Sequence, residues 1–93
     1  MKLFWSKRFI RDFKRLIRKN PQIRDAVENT LTILAEDYTQ QSLRSHKLKG
    51  DLQECWSCSI DYSNRIIFEF VNDPDDNSLA INLLTLGSHD DVY

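Results

Sequence analysis

Glycine and proline are nearly missing from this chain, with two of each in 93 residues. That scarcity excludes a collagen-like or loop-dominated chain and implies mostly regular structure. Cysteine is scarce as well. The two present, Cys55 and Cys58, are too few for a disulfide scaffold, and no second pair completes a four-cysteine zinc site. No apolar run approaches the roughly 20 residues that span a bilayer. The start, Met1-Lys2-Leu3-Phe4-Trp5-Ser6-Lys7-Arg8, has no sustained apolar core and does not read as a secretory signal. The chain is therefore expected to be cytoplasmic, with no membrane partner. There is no glycine-rich phosphate loop, no H-E-x-x-H, no carboxylate cluster suited to magnesium and no Ser-His-Asp pattern. No metal site and no cofactor are expected.

What is present describes a small globular protein. A hydrophobic share of 41% and a charged share of 29% lie in the range of folded proteins and exclude disorder. The length suits one domain, residues 1–93. The net charge of −1 conceals an asymmetry. Residues 1–50 carry 12 of the 13 basic residues against five acidic ones, a balance of +7. The remainder carries Arg65 and nine acidic residues, a balance of −8. A basic half is the footprint of a polyanion partner, or equally the solvated face of a helix.

Hydrophobic periodicity orders the elements. Leu3–Trp5 reads as a short strand and Ser6 as an N-cap. Phe9, Ile10, Phe13, Leu16 and Ile17 then fall at helical spacing, opposite Arg8, Arg11, Arg15, Arg18 and Lys19. Asn20-Pro21 breaks this helix and opens a second, with Asn20 as its N-cap. Ile23, Val27, Leu31, Leu34 and Tyr38 form the second stripe, and so short a link predicts a helical hairpin. From Cys55 the period becomes two. Strands are expected around Trp56–Ile60, over Arg65–Val71 and over Ser78–Leu86, with turns at Asp61–Asn64 and Asn72–Asn77. The expected fold is α+β, in the order β-α-α-β-β-β. The two-helix hairpin packs on one face of an antiparallel sheet. Ile66, Phe68 and Phe70 should face the helices, which sends Arg65 and Ile67 to an open face.

Few residues can do chemistry. Cys55-Trp56-Ser57-Cys58 has the spacing of half a zinc site or a redox pair. No helix N-terminus follows to lower a thiol pKa, so two reduced thiols in a strand is the preferred reading. His46, Arg65, His89 and Tyr93 could converge on the open face. Two histidines can divide general-base and general-acid duties, an arginine can stabilise charge on a phosphate, and a tyrosine can stack on a base. Such a set suits RNA cleavage by the ribose 2′-OH without a metal. Each residue has a plainer reading beside this one: a surface histidine, an arginine paired with Glu69 or Asp61, a tyrosine closing the core.

The order of elements, with His46-Lys47-Leu48-Lys49-Gly50, Arg65-Ile66-Ile67-Phe68 and the ending Gly87-Ser88-His89-Asp90-Asp91-Val92-Tyr93, resembles the RelE/ParE toxin superfamily over nearly the whole chain. The likeness is nearest to RelE- and YafQ-type mRNA interferases of type II toxin–antitoxin modules. The resemblance implies an endoribonuclease that cuts mRNA, commonly on the ribosome, and is held by a cognate antitoxin. It implies His46 and His89 as acid–base groups, Arg65 as stabiliser of the transition state and Tyr93 as the aromatic that holds the substrate. Lys47, Lys49 and the helix residues Arg11, Arg15 and Arg18 would touch RNA. The antitoxin would rest on exposed apolar residues of the second helix and around the open sheet face. This chain lacks the lysines, or the extra histidine and carboxylates, that some relatives carry on the strand occupied here by Trp56–Ser59. Asp90 and Asp91 could raise the pKa of His89 and hold it protonated as an acid, or equally be exposed and inert. The same fold also serves ParE-like inhibitors of DNA gyrase, and a toxin that only binds its antitoxin is a further alternative.

Overall fold

A computed structural model describes residues 1–50 and 54–92, the side chains of Asp90 and Asp91 excepted. Strand β1 (Leu3–Trp5) leads through Ser6 into helix α1 (Lys7–Lys19) and helix α2 (Ile23–Glu36). A single 3-10 turn (Gln41–Leu43) precedes β2 (His46–Lys47), β3 (Trp56–Ser59), β4 (Asn64–Asn72), β5 (Leu79–Ser88) and a terminal helical turn, α3 (His89–Val92). The α+β class stands, and the expected β-α-α-β-β-β elements appear in order, with β2 and α3 added.

Ser6 starts α1 as its sequence position requires. Its Oγ accepts from the Phe9 N–H at 3.1 Å, which satisfies one of the orphan donors of the first turn. The same hydroxyl donates to the Leu84 carbonyl at 3.2 Å. That carbonyl is available because β5 carries a bulge. Ile67 faces Thr85 while Phe68 faces Leu83, so Leu84 has no partner on β4. The extra residue shifts the alternation, and Leu83 and Leu86 both enter the same core.

Asn20 does not cap the second helix. It closes α1 instead, donating its N–H to the Leu16 carbonyl at 2.9 Å. Pro21 and Gln22 form a turn, and α2 begins at Ile23 with no side-chain cap. The proline ended the first helix as anticipated, but two residues rather than one were needed to re-aim the chain. Ile23, Val27, Leu31 and Leu34 then bury the inner stripe of α2 against Phe9, Ile66, Phe68 and Ile81.

The sheet has five strands in the order β1-β5-β4-β3-β2. β3, β4 and β5 form the expected antiparallel meander. β1 runs parallel to β5, with Leu3 opposite Ile81, so the sheet is mixed rather than purely antiparallel. β2 falls in a segment read as a loop. Two residues cannot show a period, and His46 and Lys47 are held only by pairing with Ser57 and Trp56. The helices cover one face, where Tyr38, Trp56 and Phe70 add an aromatic cluster with Tyr38 4.9 Å from Phe70. The opposite face is less open than expected. Ile67 and Ser57 lie on it, yet Ile67 is 3% exposed and Ser57 fully buried. Accessible on this face are the half-buried Arg65 near one end and the exposed His46 at the β2 edge.

Among the described residues the exposed large apolar side chains are Met1, Trp5, Ile10, Tyr62 and Leu79. None belongs to α2, whose outer face is polar, so the apolar footing expected there is not present. No helix among the described residues is long and apolar enough to cross a membrane.

Candidate active site

Arg65 sits at the second position of β4, opposite Ser59 on one side and Gly87 on the other. Among the described residues its guanidinium pairs with no carboxylate. Nη1 donates to the carbonyls of Asp61 at 2.8 Å, Tyr62 at 3.0 Å and Asn64 at 3.1 Å. The two candidate acids are otherwise engaged. Glu69 accepts from Asn82 Nδ2 at 2.9 Å. The Asp61 carboxylate accepts from the N–H groups of Ser63 at 2.9 Å and Asn64 at 2.8 Å, an Asx-turn that folds the β3–β4 link. Among the described residues the cation is thus fixed by neutral oxygens, the setting that leaves a guanidinium able to take a phosphate.

His89 follows β5 directly. Its backbone N–H donates to the Ser63 carbonyl at 3.0 Å, which ties the start of α3 to the same β3–β4 turn. Tyr62, Ser63, Arg65, Ser88 and His89 line one groove of about 500 Å³. The structure therefore brings Arg65 and His89 together. Tyr93 lies outside the described residues, as do the side chains of Asp90 and Asp91.

His46 is exposed on β2, on the same sheet face as Arg65. It pairs with Ser57, which pairs with Ile67, so it stands two strands away from Arg65 and one two-residue step along. Strand spacing and rise put their Cα atoms about 12 Å apart. His46 Nδ1 is 3.0 Å from the Arg44 carbonyl. A carbonyl can only accept, so Nδ1 carries the proton and a neutral ring presents Nε2 as the acceptor. Arg44 has φ of 50°, and this left-handed turn is what aims its carbonyl at the ring. Lys47 is not brought beside His46. Alternation puts it in the row of Trp56 and Phe68, on the helix side of the sheet. Lys49 is exposed in the following link.

The basic residues of α1 form a surface of their own. Arg11, Arg15 and Arg18, with Lys7, Ile10 and Lys14, line a shallow groove of about 320 Å³ on the helix. Arg15 also reaches a second cavity of about 400 Å³, between α1 and the end of β5, with Arg8, Lys19, Gly87 and Ser88. Asp12 underlies it. This buried carboxylate accepts from Thr85 Oγ1 at 2.5 Å and lies 3.8 Å from both Arg8 and Arg15. Arg11 and Arg18 do not converge on Arg65 and His89. Reasoning from sequence missed Asp12, Arg44 and Tyr62. Asp12, the single acid of α1, was the one visible signal.

The two thiols behave as structural residues. Cys58 is buried in the core, and burial, partly offset by the Arg65 charge, pushes its pKa up to about 12. The Cys55 thiol is raised too, first by burial and then by Glu69 and Glu54. Neither is a poised thiolate. Among the described residues no group of three His, Cys, Asp or Glu side chains could hold a metal ion.

A two-helix layer on a five-stranded mixed sheet is the architecture of the RelE-like toxins, and solved structures match it along the whole chain. YafQ from E. coli strain BL21(DE3) superposes with a TM-score of 0.79 at 13% identity, covering 99% of this chain and 97% of that one. A copper-bound mutant toxin from Helicobacter pylori gives 0.72 at 25% identity, covering 100% and 99%. The E. coli DinJ–YafQ toxin–antitoxin complex gives 0.72 at 16% identity, covering 99% and 96%. No curated protein matches the sequence. The chain belongs to the family described as bacterial toxin of type II toxin–antitoxin system, YafQ, which matches residues 1–93.

Proposed function

We propose that this toxin is an endoribonuclease that cuts mRNA, in association with the ribosome, by attack of a ribose 2′-OH on the adjacent phosphate. His46 Nε2 takes the proton of the 2′-OH. The oxygen bonds to phosphorus, and Arg65 stabilises the charge that builds on the phosphoryl oxygens. The bond from phosphorus to the 5′-oxygen breaks, and His89 gives that oxygen a proton. The products are a 2′,3′-cyclic phosphate and a 5′-hydroxyl, and no metal is needed. Tyr93 would hold the substrate, while Lys47, Lys49 and the cationic face of α1 (Arg11, Arg15, Arg18) would meet RNA backbone at greater distance.

One observation carries this reading. Arg65, held by three backbone carbonyls, shares a groove with His89 on the sheet face that also bears His46. The family and the DinJ–YafQ complex support a cognate antitoxin as the partner that restrains the activity. Expression without the antitoxin should stop growth, and primer extension should find new 5′ ends within mRNA bearing a hydroxyl. Intact mRNA with blocked DNA supercoiling would point instead to gyrase inhibition. Antitoxin binding with neither effect would mark a toxin without activity.

A further inference from the structure

We propose that Tyr62 is a stacking platform for the nucleobase beside the cut phosphate, an inference that rests on the ribonuclease reading above. Tyr62 is 95% exposed, whereas the next most exposed aromatic among the described residues, Trp5, is 41% exposed and packs on Phe9 and Phe13. An exposed aromatic alone needs no explanation. This one is carried on a fixed turn.

The Asp61 carboxylate accepts from the N–H groups of Ser63 and Asn64, on the far side of Tyr62. The Ile60 N–H donates to the Asn64 carbonyl at 3.0 Å. The Tyr62 carbonyl accepts from Arg65, and the Ser63 carbonyl accepts from His89. The turn is therefore fastened to the Arg65 guanidinium and to the backbone of His89, and the ring projects from it into water.

Position makes the ring useful. Tyr62 and Arg65 together line the groove that holds His89 and also a second cavity, of about 290 Å³, beside Arg44, Ser59 and Asp61. A polynucleotide whose phosphate reaches Arg65 from either side passes its bases along the Tyr62 ring. Every base has a π-face, so such a platform binds single-stranded RNA with little sequence preference and adds affinity equally to the bound substrate and its transition state.

The test compares Tyr62→Ala and Tyr62→Phe in the full-length toxin. The fold should be unaffected in both, as read by far-UV circular dichroism and Tm, because the ring is in solvent. Cleavage of mRNA, with and without ribosomes, should show KM raised roughly 5- to 100-fold in Tyr62→Ala, with kcat at saturation unchanged, and wild-type values in Tyr62→Phe. In a 2′-O-methyl RNA oligonucleotide carrying 2-aminopurine at successive positions, wild type and Tyr62→Phe should quench one position that Tyr62→Ala does not. Equal KM and equal quenching in Tyr62→Ala, beside an active wild type, would overturn the platform alone. A wild type that leaves RNA uncut under all these conditions would overturn the ribonuclease reading and the platform with it.

Discussion

At the scale of single residues, local backbone decides what each side chain can do. His46 was visible as one of two histidines in a basic stretch, and Arg65 as a cation inside an apolar strand. Their working states were not visible. The tautomer of His46 depends on the left-handed Arg44, and a positive φ at an arginine leaves no mark in composition. The carbonyl cage of Arg65 depends on how Asp61 folds its turn. Cys58 gives a direct check. With its pKa at about 12 and its side chain in the core, it should resist Ellman's reagent at neutral pH in the native protein and react only on unfolding. Cys55, half-buried, should react first. Cys58→Ser should cost about 1–3 kcal/mol, the penalty for a buried hydroxyl without a partner, read as a lower midpoint in urea.

At the scale of elements, both helices and the long strands β4 and β5 were legible because their periods run for seven residues or more, and the four-residue β3 from the alternation of Trp56 and Cys58 with Ser57 and Ser59. β2, the parallel pairing of β1 and the bulge at Leu84 were not, since each depends on contacts distant in sequence. Ser6 joins these two kinds of information. It was legible as a cap, but its bond to Leu84 exists only once the bulge forms. Ser6→Ala should therefore cost about 1–2 kcal/mol, at the upper end for a cap, measured by equilibrium unfolding. The tail belongs to this scale too. α3 packs on the end of β5, which is complete at Ser88, so removing residues 89–93 should abolish cleavage while antitoxin binding, measured by calorimetry, is largely retained.

At the scale of the whole molecule, charge ties the N-terminal edge strand to the turn between β4 and β5. Lys2, beside β1, meets the buried Asp73 of the β4–β5 turn at 2.7 Å. The hydrogen bond from Lys2, and then that from the Asp75 N–H, holds the Asp73 carboxyl below its ordinary value of 3.8. Asp76 and Asp37 are lowered in the same direction, by the hydroxyl and N–H of Ser78 and of Thr39. A carboxyl lowered on folding stabilises the protein above its unfolded pKa, and the stabilisation is lost as pH falls through the folded value. Lys2 is raised from 10.5 by the same pair, so its contribution is complete below that value and is lost as pH rises through the folded one. Tm should therefore hold between these limits and fall in acid below about pH 3.8. Asp73→Asn should lower Tm at neutral pH, and its deficit should shrink in acid. The charge asymmetry along the chain became a spatial one, with seven basic residues on α1; Arg11 and Arg18 share no groove with the candidate site, while Arg8, Arg15 and Lys19 meet it at Ser88.

The central claim is that His46 and His89 move the protons of RNA cleavage around a phosphate held by Arg65. The most direct measurement is cleavage of mRNA by purified protein, with and without ribosomes, in the His46→Ala/His89→Ala double variant, its folding verified by circular dichroism. Loss of at least about 100-fold in cutting rate, the lower range for removing general acid–base groups, is the result the account predicts. A double variant that cuts at the wild-type rate would contradict it.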